Sequence, residues 1–406
     1  MVNVAVLGYG TIGSGVVEVL QTNTEVIAQR AGEEIAVKYI LDLRDFPGDP
    51  NADKIVHDYD IIDKDEDVQV VVECMGGVEP AYTFVKRALL NGRSVATSNK
   101  ELVAKHGAEL IAIAHEKNIN FLFEASVGGG IPIIRPLVQC LTADVIEEVS
   151  GILNGTTNYM LTRMKEEGIS FEEALKEAQE KGYAELHPEA DVEGYDACRK
   201  IAILSSLAFG QQVDFEDIYC EGITKITVED MRYAKAMGTT IKLLASSKTH
   251  AGRLGAMVAP CMLYPDHPLY NVNGVFNAIF VHGNVLGDAM FYGSGAGKLP
   301  TASAVVSDVV EAAKNLNRNV MTMWKEEKLR LEDKSSMKRR FFIRMKGNVE
   351  EKIEDIRYSF GDVEIVKVDG LDGEFGFVTP IMMEGDYDTR AKSYEDQILH
   401  MIRIED

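Results

Sequence analysis

The chain has 406 residues, too many for a single hydrophobic core, and this length predicts two or three domains. Its content of 46% hydrophobic and 26% charged residues is typical of a globular protein, while the net charge of −22 argues against a nucleic-acid partner. Because no apolar run reaches about 18 residues and residues 1–15 lack the basic start of a signal peptide, we expect a cytoplasmic protein with no membrane partner.

The N-terminal segment combines a strand pattern with a glycine-rich turn. Val2, Val4 and Val6 alternate with other residues, and the run Gly8-Tyr9-Gly10-Thr11-Ile12-Gly13-Ser14-Gly15 follows directly, before an apolar helix start. A strand, a glycine turn and a helix in this order hold a dinucleotide pyrophosphate at a helix N-terminus. The alternative is a glycine turn in some other α/β protein. We predict a dinucleotide site that includes Gly8, Gly10, Thr11, Ile12 and Gly13.

The next segments alternate between apolar strands and helical patterns, which predicts a parallel sheet covered on both faces. We therefore expect an α/β fold that begins with a doubly wound Rossmann domain over residues 1–135, completed by a helix at 300–316. The predicted strands are Ile35–Leu41, Val68–Val72, Ser94–Thr97 and Ile119–Phe123, and the predicted helices are Pro80–Leu90 and Glu101–Lys117.

Residues 136–299 have a different pattern and predict an α+β domain for substrate binding and dimerisation, with a mainly antiparallel sheet. The predicted strands are Ile146–Leu153, Ala256–Leu263, Ala278–Gly283 and Asp288–Tyr292, and the predicted helices include Tyr195–Phe209 and Val228–Ala245. The glycine-rich segment Gly293–Gly297 then precedes the helix Thr301–Leu316.

Beyond a charged linker at 317–338, residues 339–406 follow the order strand, helix, strand, strand, helix, strand, which predicts a small ferredoxin-like domain. The predicted elements are Arg339–Met345, Val349–Phe360, Val363–Val368, Phe375–Met383, Ser393–Met401 and Ile402–Ile404.

One charged segment stands out as a candidate site for proton transfer. Asp196 and Lys200 are four residues apart, so they share a face at the start of a helix that is apolar on nearly all sides. Burial and the positive helix end oppose the charge of such a lysine, whereas Asp196 favours it, and this balance suits proton transfer. The alternative is an ordinary surface ion pair.

Two further segments follow predicted strands at the sheet edge where ligands bind. Lys100 comes after Thr97-Ser98-Asn99, and it is either functional or merely an exposed lysine near a helix start. Glu124 begins a glycine-rich stretch that ends at Pro132, and a carboxylate beside exposed carbonyls suits a hard cation. A plain hinge between domains explains that stretch equally well.

In their order along the chain these segments resemble homoserine dehydrogenase over roughly residues 1–316. The segments that carry the resemblance are Gly8–Gly15, Thr97–Lys100, Glu124–Pro132, Gly151–Met160, Glu185–Lys200, Gly293–Gly297 and Pro300–Asp308. The family interconverts L-homoserine and L-aspartate 4-semialdehyde with NAD or NADP, in threonine and methionine biosynthesis. The resemblance also implies a homodimer formed through the second domain.

The resemblance further implies roles for individual residues. Lys200 would donate or accept the proton, and Lys100 would lie where cofactor and substrate meet. The implied substrate-binding residues are Glu185, Asp191, Asp196, Asn154 and Thr156. Further implied cofactor contacts are Asp42, Arg44, Thr97, Gly295 and Gly297. A structural sodium ion would be held by Glu124, Val127, Gly129 and Ile131.

Some features depart from the family pattern or leave alternatives open. Asp42 suits the ribose hydroxyls of NAD, but Arg44 could meet an NADP phosphate. The C-terminal domain resembles an ACT domain only in element order, because Lys346-Gly347-Asn348 lacks the usual Asp-x-Pro-Gly turn. The alternative functions are a catalytically silent NAD-sensing regulator and a phosphorylating aldehyde dehydrogenase with Cys140 as nucleophile.

The five cysteines are scattered, with no Cys-x-x-Cys pair and no histidine at metal-ligand spacing, so we expect buried thiols rather than disulfides or a cysteine metal site. They are Cys74, Cys140, Cys198, Cys220 and Cys261.

Overall fold

The structure is a computed structural model that describes residues 1–250, 252–320, 322 and 324–405. Residues 321 and 323 of the predicted linker, residue 251 of the predicted second domain and residue 406 of the predicted C-terminal domain lie outside this description. The chain divides into two compact units, each described by itself below. Over the described residues, no helix is long and apolar enough to cross a membrane. The first unit comprises Met1–Val145, Ala202–Phe215 and Phe291–Leu329, and the second Ile146–Ile201, Glu216–Met290 and Arg330–Asp406.

The strands are β1 Val2–Leu7, β2 Ile35–Leu41, β3 Ile55–Val56, β4 Val68–Glu73, β5 Ser94–Thr97, β6 Phe121–Leu122, β7 Ile146–Ile152, β8 Gln211–Gln212, β9 Tyr219–Cys220, β10 Thr240–His250, β11 Arg253–Leu263, β12 Phe276–Gly283, β13 Gly287–Ser294, β14 Lys325–Lys328, β15 Lys338–Lys346, β16 Glu364–Val366, β17 Glu374–Val378, β18 Met382–Met383 and β19 Ile398–Glu405.

The helices are α1 Thr11–Thr22, α2 Thr24–Ala31, α3 Tyr59–Asp63, α4 Ala81–Leu90, α5 Lys100–Glu116, α6 Gly155–Glu167, α7 Phe171–Glu180, α8 Glu189–Val192, α9 Tyr195–Phe209, α10 Val228–Ala236, α11 Lys298–Lys314, α12 Val349–Phe360 and α13 Glu384–Ala391.

The first unit is built on a six-stranded sheet in the order β3-β2-β1-β4-β5-β6, and its neighbouring strands run parallel. This order is that of a dinucleotide-binding doubly wound sheet, and the predicted Rossmann-like parallel sheet is confirmed. Helix α11 packs Ala302, Val305 and Val309 into the same core as Val4 and Val6 of β1. The carboxyl ends of the strands therefore meet the N-termini of α1 and α5 at one edge of the sheet.

The glycine turn between β1 and α1 has a steric requirement for glycine. A Cβ atom on Gly13 would lie 1.8 Å from the carbonyl oxygen of Gly8, so the helix could not start this close to the strand with any other residue. Gly8 has a φ of +91°, in the region that favours glycine. Both observations explain why the chain has glycine at these two positions of the turn.

The second unit contains a mixed sheet in which the strand order is β12-β7-β10-β11-β19-β15-β17-β16. Along this order the pairs are antiparallel except for β11 with β19, and the short β9 adds one more parallel pair with β11. The mainly antiparallel sheet predicted for residues 136–299 is confirmed. The last strand, β19, lies between β11 and β15, so residues 339–405 extend the same sheet. Within that region the order β19-β15-β17-β16 is the 4-1-3-2 arrangement of a ferredoxin-like fold.

Two predicted helices are wrong. The helix predicted over Ser393–Met401 is α13 at Glu384–Ala391, because Ile402 and Ile404 alternate with Arg403 and Glu405 and form a strand that pairs on both sides. The helix predicted over Val228–Ala245 ends at Ala236, where Gly238 takes a φ of +69° before β10 begins. In both cases pairing within the sheet outweighs local helix propensity.

The predicted linker is not wholly irregular, because Lys325–Lys328 forms β14 and pairs with β8. The expectation of buried thiols holds for Cys198 and Cys261 but is wrong for Cys140, which is exposed.

Candidate functional site

Lys200 and Asp196 form a buried ion pair on the first two turns of α9. The Lys200 ammonium donates to Oδ2 of Asp196 at 2.8 Å and to the carbonyl oxygen of Leu153 at 2.8 Å. Only 11% of the Lys200 side chain and 5% of the Asp196 side chain is exposed. The alternative of an ordinary surface ion pair is therefore wrong. A buried ammonium held by one carboxylate and one carbonyl keeps a third N–H available for a reacting oxygen.

Asn154 connects this pair to a second carboxylate. Its side-chain oxygen caps α6 by accepting from the Thr157 amide, which fixes the orientation of the side chain. Its Nδ2 atom can then donate to Oδ1 of Asp191 at 2.7 Å and to Oδ2 of Asp196 at 2.9 Å. Four of the predicted site residues, namely Asn154, Asp191, Asp196 and Lys200, thus belong to one hydrogen-bonded cluster, which we call the carboxylate–lysine cluster.

Thr156 is in the first turn of α6 and Glu185 lies in the loop between α7 and α8, and the structure shows no hydrogen bond from either side chain to this cluster. The Thr156 hydroxyl donates to the carbonyl oxygen of Tyr183 at 2.6 Å, which ties the start of α6 to the chain just before Glu185. Glu185 is exposed, and its neighbour Leu186 has 82% of its surface exposed. The Glu185 carboxylate therefore remains accessible to a ligand.

In the first unit, a cavity of about 660 Å³ opens at the carboxyl ends of β1 and β2. Gly8, Gly10, Asp42 and Arg44 line it, together with apolar residues such as Phe84. Gly10 caps α1, and no atom lies within 4 Å of the position that a Cβ on it would occupy. The structure thus places an open glycine turn and a helix N-terminus, both suited to a pyrophosphate, beside the acidic end of β2.

Asp42 and Arg44 pair with each other at the mouth of this cavity. The guanidinium donates from Nε to Oδ1 and from Nη2 to Oδ2, both at 2.9 Å, and the Tyr9 amide donates to Oδ2 at 2.9 Å. The Arg44 hydrogen bonds hold the pKa of the Asp42 carboxyl well below its usual range. Asp42 is therefore an ionised acceptor, and Arg44 is a cation already neutralised by it.

Glu73, which contacts Thr97, is a buried acidic residue that the sequence analysis did not identify. The Thr97 hydroxyl donates to Oε2 of Glu73 at 2.6 Å, and the other oxygen of Glu73 accepts from the Met75 amide at 2.7 Å. Glu73 is completely buried at the end of β4, and burial raises the pKa of its carboxyl. A single acidic residue directly after the apolar run Val68–Val72 was the available sequence signal.

Lys100 is the first residue of α5, one position after the capping residue Asn99, and it is half-buried. The Asn99 side chain accepts from the Leu102 amide and donates to the carbonyl of Gly77 at 2.6 Å. Lys100 thus lies at the same edge of the sheet as Thr97, which agrees with its predicted location.

The segment that begins at Glu124 forms a compact turn. The Glu124 carboxylate, only 4% exposed, accepts three backbone amides, from Ile133, Ile134 and Arg135, at 2.6 to 2.8 Å. The Gly129 turn packs so closely on the second glycine segment that a Cβ there would lie 2.3 Å from the carbonyl oxygen of Gly295. Gly297, with a φ of +117°, caps α11 next to it. The predicted sodium loop and the predicted cofactor glycines are therefore in direct contact.

Comparison with known proteins bears on both parts of the chain. The family model described as homoserine dehydrogenase matches residues 132–310, and the one described as the homoserine dehydrogenase NAD-binding domain matches residues 8–124. Homoserine dehydrogenase of Bacillus subtilis is 44% identical over 326 residues, which cover 79% of this chain and 74% of that protein. The chain belongs to the homoserine dehydrogenase family.

Solved structures of homoserine dehydrogenases have the same fold. The enzyme from Thiobacillus denitrificans superimposes with a TM-score of 0.92 at 34% identity, over 100% of this chain and 98% of that chain. A hyperthermophilic archaeal homoserine dehydrogenase mutant in complex with NADPH gives a TM-score of 0.66 at 30% identity, over 77% and 97% of the two chains. A homoserine dehydrogenase interconverts L-homoserine and L-aspartate 4-semialdehyde with a nicotinamide cofactor, and the predicted function is confirmed.

These matches do not favour the two alternative functions. An NAD-sensing protein without activity has no need of the buried Lys200–Asp196 pair. A phosphorylating aldehyde dehydrogenase needs an activated thiolate, but Cys140 is an exposed residue beside Gln139 and Leu141.

Proposed function

We propose that the carboxylate–lysine cluster performs the proton transfer of the homoserine dehydrogenase reaction. The observation that carries this proposal is the buried hydrogen bond from Lys200 to Asp196. In the direction of reduction, the Lys200 ammonium donates a proton to the aldehyde oxygen, and Asp196 and the Leu153 carbonyl hold the lysine in place. In the reverse direction the lysine amine takes up the hydroxyl proton of homoserine, and Asp196 stabilises the ammonium that forms.

The acidic residues account for recognition of an amino-acid substrate. Glu185 and Asp191 bind the substrate ammonium, and Asp196 divides its two oxygens between the lysine and the substrate. Asn154 keeps the two aspartates at a fixed separation through its two donated hydrogen bonds. Thr156, at the start of α6, presents its backbone amide for the substrate carboxylate, while its hydroxyl holds the chain before Glu185 through the Tyr183 carbonyl. A neutral alcohol would leave these carboxylates without a counter-charge, which disfavours it.

The glycine turn and β2 hold the cofactor. The first turn of α1, with Gly8, Gly10, Thr11, Ile12 and Gly13, binds the pyrophosphate, and Asp42 accepts hydrogen bonds from the ribose. When bound, the nicotinamide ring supplies or accepts the hydride at its C4 position. We assign Thr97, Lys100, Gly295 and Gly297 to the nicotinamide end of the cofactor. NAD fits Asp42, and the archaeal relative bound to NADPH makes NADP the second candidate.

The residues around Glu124 fit a sodium ion only in part. Val127, Gly129 and Ile131 offer backbone carbonyls, and such neutral hard oxygens suit a monovalent cation. The Ile131 carbonyl lies so close to Gly128 that a Cβ atom on Gly128 would be 2.5 Å from the carbonyl oxygen. The Glu124 carboxylate already accepts three amides, so its contribution is to hold the loop in shape. No group of His, Cys, Asp and Glu side chains in the described residues is arranged for a metal.

We further propose the domain division predicted from the sequence, with residues 1–135 and 300–316 for the cofactor, 136–299 for the substrate, a linker at 317–338 and an ACT-like domain at 339–406. The strand order β19-β15-β17-β16 supports the last assignment. We also propose a cytoplasmic homodimer formed through the second domain. In support, the β12–β13 turn exposes 78% of Val285 and 51% of Leu286, apolar surface that a second copy would cover.

Kinetics of Asp196→Asn test the assignment of the cluster. The variant keeps the side-chain shape but loses the charge that holds both Lys200 and the substrate ammonium. We expect the KM for homoserine to rise and kcat to fall, while the KM for NAD(P) stays near that of the wild type. Unchanged homoserine kinetics would remove the cluster from the mechanism.

A further inference from the structure

The backbone between Asp191 and Asp196 is in contact with residues 220–223 of the second unit. The Ile223 amide donates to the carbonyl oxygen of Val192 at 2.8 Å, and the Cys220 thiol donates to the carbonyl of Glu193 at 3.3 Å. The position of the two aspartates therefore depends on where residues 220–223 lie.

The contact between the two segments is very close at Gly222. A Cβ atom at this position would lie 2.1 Å from the Val192 carbonyl oxygen and 2.4 Å from Cα of Glu193. Such distances leave no room for a side chain, so any shift of Gly222 is passed to the backbone that connects Asp191 with Asp196.

Residues 220–223 are in turn held by the last strand of the sheet. The Arg403 guanidinium donates to Oε2 of Glu221 at 2.6 Å, and its other nitrogens donate to both oxygens of Glu384, at 2.6 and 3.2 Å. Only 1% of the Arg403 surface is exposed, and Glu384 is completely buried. A guanidinium shared by two carboxylates in this way has one well-defined position.

We propose that Glu221 and Arg403 are positioning residues for substrate binding, which fix the 220–223 segment and through it the substrate aspartates. The C-terminal strand β19 is thereby coupled to homoserine recognition, although none of its residues belongs to the carboxylate–lysine cluster. The inference rests on the proposed substrate role of Asp191 and Asp196. The 220–223 segment contacts Val192 and Glu193, next to Asp191, whereas Asp196 is held by Lys200 and Asn154. The coupling therefore affects the KM for homoserine more than proton transfer or cofactor binding.

The first test is Glu221→Gln, which removes the charge facing Arg403 and keeps the side-chain shape. We expect the KM for homoserine to rise about tenfold, the size typical of coupling through packed residues, with kcat and the KM for NAD(P) within about twofold of the wild type. The matched control is Glu364→Gln, because Glu364 pairs with Arg340 in the same region but has 73% of its side chain exposed. This control should show wild-type kinetics.

Two further variants separate positioning from general loss of structure. Gly222→Ala leaves both charges in place but pushes on Val192, and it should raise the same KM. Arg403→Lys keeps the positive charge but loses the two-sided guanidinium contact. The double variant Glu221→Gln/Arg403→Lys should cost no more than the more damaging single variant if the two residues act as one unit. Thermal unfolding checks that each variant is folded.

The result that overturns the inference is a folded Glu221→Gln and a folded Gly222→Ala that both keep the wild-type KM for homoserine. Equal losses in kcat and in both KM values also overturn it, because they indicate general loosening. Asp196→Asn separates failure of the positioning role from failure of the proposed function. If that variant raises the homoserine KM and the two others do not, only this inference fails; if Asp196→Asn has no effect, the proposed function fails.

Discussion

Lys200 and Asp196 share a hydrogen bond of 2.8 Å although both side chains are almost completely buried. Removing two charges from water is costly, so a pair with no chemical task could be replaced by apolar residues with little loss. Under the proposed function, proton transfer is the task of this pair. The relation between these two residues therefore gives the first prediction.

Lys200→Ala should lower kcat by about a hundredfold or more, the usual size of a general acid–base contribution. Affinity for NAD(P) should stay near that of the wild type, because the variant leaves the glycine turn untouched. Steady-state kinetics with homoserine and direct cofactor titration check both statements. Lys176→Ala is the control, since Lys176 has 78% of its side chain exposed. A Lys200→Ala enzyme with most of its turnover would exclude the assigned role.

Glu185→Ala should mainly raise the homoserine concentration needed for half-maximal rate, because the substrate ammonium loses a counter-charge. The effect on kcat should be small, since Glu185 has no hydrogen bond to Lys200 in the structure. The measurement is the KM for homoserine beside that of Glu180→Ala, a change at another exposed glutamate of the same unit. Equal KM values for Glu185→Ala and the wild type would contradict this role.

The pairing of Asp42 with Arg44 predicts that NAD is used at least as well as NADP. The Asp42 carboxylate repels a 2′-phosphate, and Arg44 is already neutralised by that same carboxylate. The check is the ratio of kcat/KM values for the two cofactors. Asp42→Asn should shift this ratio towards NADP, because it releases Arg44 and removes the repulsion. A wild-type enzyme with a strong preference for NADP would mean that Arg44 turns to the phosphate.

Lys242 predicts a pH-dependent stability. Its ammonium is buried and donates to the side-chain amide oxygens of Asn158 and Asn273 and to the backbone carbonyl of Val272, and burial lowers its pKa to about 7. Between about pH 7 and pH 10.4 the unfolded chain binds a proton that the native chain does not, so this residue adds stability as the pH rises. Below pH 7 the full cost of burying the charge is present.

Urea unfolding of Lys242→Met and of the wild type at pH 7, 8 and 9 tests this. The free energy of unfolding of the wild type, relative to the variant, should increase by at most about 1.4 kcal/mol per pH unit over this range. Comparing the two chains removes the contribution of other titrating groups. A difference that does not change with pH would show that Lys242 stays charged.

Threonine should inhibit the full chain weakly or not at all. The turn after β15 lacks the proline loop of ACT domains, Gly347 has a φ of +113°, and the Asn348 side chain already accepts from the Glu350 amide at 3.0 Å. Activity of the full chain across threonine concentrations is the measurement. Strong inhibition that disappears in Asn348→Ala would show that this turn still binds an amino acid. A chain ended near Lys338 is a poor control, because it lacks β19 and leaves Glu221 without Arg403.

Local patterns were sufficient to find many individual helices and strands. β2, β5 and α9 have the predicted bounds, because each is a continuous apolar or period-matched run bounded by polar residues or glycine. The glycine turn was also predictable, because the close contact between Gly13 and the Gly8 carbonyl involves residues only five positions apart. For the same reason the Lys200–Asp196 pair was recognisable from its spacing within α9.

Long-range pairings were not accessible in this way. Only the family resemblance indicated a substrate role for Asn154, and its hydrogen bonds to Asp191 and Asp196, 37 and 42 positions away, could not be predicted. Glu73 meets Thr97 only because β4 and β5 are neighbours in the sheet. The sequence pattern predicts a helix over the first half of the strand Ile398–Glu405, because the partners that make it a strand, β11 and β15, are far away in sequence. These features follow from sheet order and from the packing of helices against one another, which one sequence does not specify.

The location of β19 between β11 and β15 has a consequence for how the second unit opens. Amide hydrogens close to a chain terminus usually exchange with deuterium within seconds, because terminal segments fray. The amides of Ile402 to Glu405 are instead in an internal strand and should exchange as slowly as those in the middle of β11. Since both neighbours share this one strand, β10, β11 and residues 339–378 should lose their protection together, in one cooperative event.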